Sequence, residues 1–266
     1  MDSLHASLAS FDPDAAYEPA FAVSVTVKEH EAELPMHQHR TGQLVVALHG
    51  GVMCRAQGGL WMVPPGSGVW IPGSVMHSNH VTANGRICLL FVDPSVPGLP
   101  DQCCTLSLTP LVIEMVKHMA TSPPQAHIPG SHRDRIAQVV LEELRGMEVA
   151  SLHLPIPDDP TLTRIANALI HNPADRSTVA EWAVRAAMSE RTLARLVTKK
   201  TSMSFGRWRQ QLHIIIALQR LTSGLSVQNV SDDLGYESVS AFITMFKNAL
   251  GKPPARYIAD KELRAS

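Results

Sequence analysis

The run Pro35-Met36-His37-Gln38-His39 sets two imidazoles two residues apart, and a third, His77, follows the Pro72-Gly73 pair; Gln43 lies between them. Residues two apart on an extended strand face the same side, so His37 and His39 are expected to point together. A third imidazole from another strand would complete a set able to hold zinc or another divalent metal with an open position, with Gln43 as a weak fourth partner. A neutral amide is a poorer ligand for such an ion than a carboxylate. The same four residues also suit a pocket for a small organic effector, or a purely structural set of hydrogen bonds. All three readings stand at this stage. His49 and His80 are less well placed, and Cys54, Cys88, Cys103 and Cys104 lack metal-motif spacing, so they are expected to be reduced.

The elements that must position these side chains are short. From Phe21 to Val92, strand-like runs alternate with Gly and Pro turns: Phe21–Val27, Gln43–Leu48, Gly51–Ala56, Gly59–Val63, Gly68–Ile71, His77–Val81 and Arg86–Val92. Such spacing predicts a barrel or sandwich. Two helices are expected next, Thr109–Met119 and Ser131–Met147; the second has an apolar stripe of Ile136, Val139, Val140, Leu144 and Met147 that would cover the barrel or pair two subunits into a homodimer. Leu152 to Pro160 carries Pro155, Pro157 and Pro160, and reads as a semi-rigid linker without regular structure.

Beyond it the pattern becomes wholly helical and repeats at about forty-eight residues. In the second copy Ser226 can cap a short helix, Gly235 can take a left-handed turn, and Ser238 can cap a helix whose Ala241, Phe242, Met245 and Phe246 form an apolar face. In the first copy Thr178–Ala187 makes a helix, Met188-Ser189 the turn, and Glu190–Lys199 the next helix, with Leu193, Leu196 and Val197 inward. Phe205 to Thr222 can join the copies as one helix that Gly224 stops. Two helix-turn-helix units joined in this way can set two helices in successive major grooves of double-stranded DNA. Candidate DNA-binding residues are Arg191, Thr192, Arg195, Lys199 and Lys200 in the first unit and Ser240, Thr244 and Lys247 in the second. Arg191 and Arg195, one turn apart, are expected at base edges; the lysines near helix ends are expected at phosphate.

Charge is divided along the same line. The whole chain has 23 Lys and Arg against 24 Asp and Glu, but residues 161–266 hold 15 basic and 8 acidic side chains while residues 1–160 hold 8 and 16. A basic region tethered to an acidic one is the footprint expected if only one of them meets phosphate. No apolar run approaches a membrane span and the start lacks the basic segment of a secretory signal, so a soluble cytoplasmic protein without a membrane partner is expected.

The stretch from Thr178 to Tyr257 resembles the DNA-binding domain of the AraC/XylS family of bacterial transcription regulators. Trp182-Ala183, Met188-Ser189, Arg191, Leu193 and Arg195 carry the likeness in the first unit, and Leu234-Gly235-Tyr236, Ser238, Phe242, Phe246, Gly251 and Pro254 in the second. Thr244 and Ile258 stand where that family commonly has arginine, which shifts base reading toward the first unit. The histidine motifs are similar to the two cupin motifs, with Gln43 in place of the acidic ligand. Together the resemblances imply an α+β two-domain chain: a cupin-like β-barrel with following helices over 1–150 for effector sensing and dimerisation, a linker over 151–160, and an all-α DNA-binding domain over 161–266 with helix-turn-helix units at about 178–199 and 226–249. The implied function is a ligand-responsive, sequence-specific transcription regulator. His37, His39 and Gly42-Gln43-Leu44 with Trp70-Ile71-Pro72 look like a short-barrel subgroup that includes regulators of efflux genes. Activator and repressor readings both stand, RNA polymerase being a partner for the first. The rival is a cupin enzyme using His37, His39 and His77 on iron or manganese, against which the tandem DNA-binding domain argues.

Overall fold

The computed structural model describes residues 11–15, 18–27, 32–123, 126–150 and 152–265. Its strands are β1 (Ala20–Thr26), β2 (Ala32–His37), β3 (Gly42–His49), β4 (Val52–Ala56), β5 (Gly59–Val63), β6 (Gly68–Ile71), β7 (His77–Val81), β8 (Arg86–Val92), β9 (Cys104–Leu106), β10 (Val149–Ala150) and β11 (His153–Pro155). The helices are α1 (Pro110–Met119), α2 (His132–Arg145), α3 (Pro160–His171), α4 (Val179–Arg185), α5 (Glu190–Thr201), α6 (Phe205–Thr222), α7 (Val227–Asp233), α8 (Val239–Leu250) and α9 (Pro254–Ala265). The chain divides into two compact units. One runs to residue 152, apart from 58–60, and includes the end from 258; the other takes 58–60 and 153–257.

In the first unit the described strands make two antiparallel sheets, ordered β1-β8-β3-β6-β9-β10 and β5-β4-β7-β2. Their inner faces meet in one apolar cluster of Phe21, Val45, Val52, Trp61, Val69, Ile71, Val81, Ile87, Leu89 and Phe91. The outer face of the first sheet, with Leu44, Trp70, Leu90 and Leu106, is covered by α1 and α2. Every residue of β3 except His49 is buried, because this strand is central and sandwiched between the barrel interior and the helices.

The prediction for α2 needs correcting. Its buried face is Ala137, Val140, Leu141 and Leu144, while Val139 is exposed. At 3.6 residues per turn Val139 follows Ala137 by 200°, so both cannot face inward. The strand β2 was not foreseen from the sequence, and it holds the first histidine. The proline-bearing stretch after residue 151 also departs from the expected irregular linker: His153–Pro155 is an edge strand, where a missing N–H costs no ladder bond. Trp208 Nε1 donates to Pro155 O at 2.8 Å and Gln211 Nε2 to His153 O at 3.1 Å, so this segment is fastened to α6.

The second unit is all helical beyond this strand. Phe205–Thr222 is one helix, as its pattern predicts, with Trp208, Leu212, Ile214, Ile215, Ile216, Ala217 and Leu218 buried. Thr178 and Glu181 form a capping box on α4, and Ser189, Ser226 and Ser238 each cap the helix that follows by accepting an N–H three residues on. Gly235 has φ +70°, and a Cβ there would come within 3.1 Å of Ala174 backbone, so the turn requires glycine on both counts. One detail of α8 differs from expectation: Phe242 and Phe246 are buried and Met245 half-buried, but Ala241 is exposed. Among the described residues no helix is long and apolar enough to cross a membrane.

Candidate effector site and DNA interface

His37, His39 and His77 come together with Gln43, although not by the route their spacing suggests. His37 ends β2, and His39 lies beyond it in the turn to β3, so the two do not share a strand. Instead His37 is the cross-strand partner of His77 on β7, after a bulge that begins at Leu34, and their ring centroids are 4.3 Å apart. Antiparallel partners face the same side. His39 reaches the cluster from the turn, 5.1 Å from His77 and 5.8 Å from His37 between centroids. Gln43 enters from β3, with Oε1 at 3.0 Å from His39 Nε2 and 2.9 Å from His77 Nε2. Gln43 and His77 are buried, His37 and His39 half-buried. One ligand atom from each histidine lies within 4.8 Å of the others.

Two residues outside the cluster, Asp14 and Gly73, hold the turn. Asp14 accepts Arg40 N–H at 2.7 Å and Thr41 N–H at 2.9 Å, on either side of the link between His39 and β3. Burial works against its charge, but those donors hold its carboxyl below the usual range. Gly73 sits so close that a Cβ would lie 2.1 Å from Arg40 O, and Ser74 N donates to His39 O at 2.8 Å. The signal for Gly73 was the Pro-Gly pair; for Asp14, 26 residues from Arg40, there was none.

Each imidazole is oriented in the same way. Nδ1 of His37 meets Pro35 O at 2.7 Å, that of His39 meets Thr41 O at 2.7 Å, and that of His77 meets Val75 O at 2.8 Å. A carbonyl oxygen only accepts, so Nδ1 of each ring is the donor in these bonds. Burial, with His37 and His39 nearby, pushes the pKa of His77 down to about 4 against the pull of the Val75 carbonyl. Below the cluster the barrel is aromatic: Phe91 meets His39 edge-on at 5.4 Å and stacks on Phe21 at 5.2 Å. Two residues after His77 on the same face of β7, Asn79 is fully buried, and neither its Oδ1 nor its Nδ2 has a hydrogen-bond partner among the described residues. A separate cavity of about 330 Å³ lies beside α1 and α2, lined among others by Glu18, His118, His127, His132 and Arg133. Sequence reasoning did not reach it, because Glu18 is more than a hundred residues from Arg133, against which it packs.

In the helical unit Arg191, Thr192, Arg195, Lys199 and Lys200 are all exposed on α5, whose Leu193 and Val197 are buried. Ser240, Thr244 and Lys247 lie on α8 away from buried Phe242 and Phe246. Thr244 Oγ1 donates to Ser240 O at 2.8 Å within its own helix, and Ser189 Oγ lies 2.8 Å from Thr192 Oγ1. Other basic residues are committed inside the unit: Arg185 pairs with Asp175 at 3.1 Å and lies over Trp182, Arg220 pairs with Asp233 at 2.6 Å, and Arg176 donates to Gly235 O. Sequence reasoning also passed over His213. Its Nε2 meets Pro173 O at 3.0 Å and its Nδ1 meets Tyr236 Oη at 3.0 Å, so one residue of α6 ties the approach to the first motif to the turn of the second.

Residues 25–99 match the family described as AraC-like ligand binding domain, and residues 182–260 match the one described as Helix-turn-helix domain. The HTH-type transcriptional regulator NimR of Escherichia coli (strain K12) is 44% identical over 253 residues, which is 95% of this chain and 92% of that protein. The HTH-type transcriptional regulator RipA of Corynebacterium glutamicum is 29% identical over 103 residues, 39% of this chain and 31% of that protein. Among solved structures, ToxT from Vibrio cholerae O395 is 9% identical over 90% of this chain and 97% of its own, with a TM-score of 0.39.

Proposed function

Because the chain belongs to the AraC family of transcription regulators, with a ligand-binding domain and a helix-turn-helix DNA-binding domain, we propose that it reads a specific operator through α5 and α8 under the control of an effector, a small molecule or a metal, held in the barrel by His37, His39, Gln43 and His77. The observation that carries the sensing half is the convergence of those four side chains on one point, with the unpartnered amide of Asn79 two residues along the same face. A buried polar group without a partner costs stability, and a site that tolerates such groups is suited to a polar occupant. The reading gives the barrel no catalytic step.

On the DNA side, Arg191 and Arg195 lie one turn apart on the solvent side of α5, and their guanidinium groups are suited to guanine edges. Lys199, Lys200 and Lys247 lie toward helix ends and are assigned to phosphate. A homodimer paired through the solvent side of α2, where Val139 is exposed, would present two copies of these motifs to one operator. Control of an efflux or resistance gene follows from the subgroup resemblance of the barrel.

The test is selection of bound sequences from random duplex DNA, followed by mobility shifts with the selected operator. Wild type is expected to shift it in preference to scrambled DNA, and replacement of His37, His39 and His77 together is expected to abolish any dependence on added effector. Effector-dependent binding that survives loss of all three histidines would sink the assignment of the pocket.

A further inference from the structure

The cavity of about 330 Å³ beside α1 and α2 belongs wholly to the first unit, and none of His37, His39, Gln43 and His77 lines it. Glu18, just before β1, and Arg133, in the first turn of α2, both do. They meet at one contact, Arg133 Nε to Glu18 Oε1 at 2.5 Å. Nη1 of the guanidinium reaches Ser122 O at 3.4 Å, but Nη2 and the second carboxylate oxygen, Oε2, are buried with no hydrogen-bond partner among the described residues. The Glu18 side chain is only 6% exposed. Turning either group over does not change this, because carboxylate oxygens only accept and guanidinium nitrogens only donate. Buried polar atoms are normally satisfied, and leaving charged ones unmet is costly. We propose that this cavity binds a small neutral molecule carrying a primary amide, whose N–H donates to Glu18 Oε2 and whose C=O accepts from Arg133 Nη2. The proposal stands independently of the barrel reading.

Charge balance selects the class. Glu18 and Arg133 cancel, so a ligand with net charge would leave one buried charge without a counterpart. The other carboxylate on the wall is spent: Asp134 Oδ1 meets His127 Nε2 at 3.1 Å, and Oδ2 accepts Gly130 N–H at 2.7 Å and Gln138 Nε2 at 3.0 Å. A primary amide presents a donor and an acceptor on one edge without net charge, which is what the ion pair leaves unmet. Apolar wall comes from buried Ala20, Met119 and Ala137 and half-buried Ile136. The exposed rings of His118 and His132, edge to face at 6.0 Å, flank it. An amide on a flat apolar body matches this lining, in a volume near the lower end for ligand pockets.

Benzamide, benzoate and benzylamine share one body and differ in charge. The full chain would be titrated with each at neutral pH, with binding followed by ligand-observed NMR and by the thermal midpoint. Expected is saturable benzamide binding in wild type, with benzoate and benzylamine weaker by roughly tenfold or more, the scale of one uncompensated buried charge. Removing one member of the pair should change the preference rather than abolish binding. Glu18→Gln leaves Arg133 in excess and should turn the preference toward benzoate; Arg133→Gln leaves Glu18 in excess and should turn it toward benzylamine. A general loss of structure moves all three probes together, so either variant decides the matter if the other does not fold. Absence of saturable benzamide binding in wild type overturns the proposal, as does equal binding of the three probes or a preference that neither variant alters. Replacing His37, His39 and His77 together separates the two sites. Benzamide binding unchanged in that folded variant supports the cavity whether or not effector dependence at the operator survives; its loss there places the probe in the barrel and overturns the proposal.

Discussion

His77 in the barrel and His213 in α6 are both buried and both have a pKa pushed down to about 4, chiefly by desolvation. Their hydrogen bonds differ. His213 donates from Nε2 to Pro173 O and accepts at Nδ1 from the Tyr236 hydroxyl, so a neutral ring is satisfied at both nitrogens. His77 donates from Nδ1, and its Nε2 meets the side-chain amide of Gln43, which also meets His39. Burial and a lowered pKa are therefore shared by a closed structural bridge and an open site; what separates them is whether the contacts close on two fixed partners or run on into a half-buried cluster.

The largest effect comes from removing the closed bridge. His213→Ala leaves the Pro173 carbonyl and Tyr236 hydroxyl unpaired and opens a void, so a loss of about 2–4 kcal/mol is expected in urea denaturation of the full chain. His77→Ala loosens a cluster whose other two imidazoles are half-buried and is expected to cost clearly less. Equal losses would erase the distinction.

Acid sharpens it further. A histidine whose pKa is near 6.5 unfolded and about 4 folded binds its proton more readily in the unfolded chain. Its contribution is fully present above about pH 6.5 and is lost as pH falls toward 4, on the order of 3 kcal/mol at the limit. His77 contributes with the same sign. Denaturation at about pH 7.5 and about pH 5, on either side of the ordinary histidine pKa, should therefore show a fall in wild type that His213→Gln reduces but does not abolish. An unchanged fall in that variant would show that His213 titrates normally.

The next effects are at DNA. Arg191→Ala and Arg195→Ala are each expected to cost about 1–3 kcal/mol at the selected operator with little change in stability. Thr244→Ala should matter less, because its hydroxyl already serves Ser240 O. Mobility shifts measure both, and Lys247→Ala should weaken specific and scrambled DNA alike and lower the salt dependence.

The smallest expected effect concerns the turn that carries His39. Asp14→Ala frees the Arg40 and Thr41 N–H groups and should cost about 1 kcal/mol of stability, the scale of a lost charge-assisted bond at a partly exposed site. Its larger signature should be a weaker effector dependence of operator binding, since His39 is no longer held. Undiminished dependence would mean that the turn is positioned by the Gly73 approach alone.

Much of the helical unit was legible in the chain because its determinants are local. Ser226, Ser238 and Gly235 act within a few residues of themselves, and the Phe205–Thr222 period falls on one helix. The membership of the barrel cluster was also legible from residue type, as His37, His39, Gln43 and His77 do meet. Its construction was not. A sequence period places side chains on a face only while the strand lasts, and β2 ends at His37; His39 is delivered by a turn that Asp14 and Gly73 hold from distant parts of the chain. Likewise His213 is, in sequence, one polar residue in an apolar helix, and only packing brings Pro173 and Tyr236 to its two nitrogens. Spacing along the chain thus determined which residues were available for caps, faces and ligands. Tertiary structure decided which donors and acceptors meet, because that depends on contacts between segments remote in sequence.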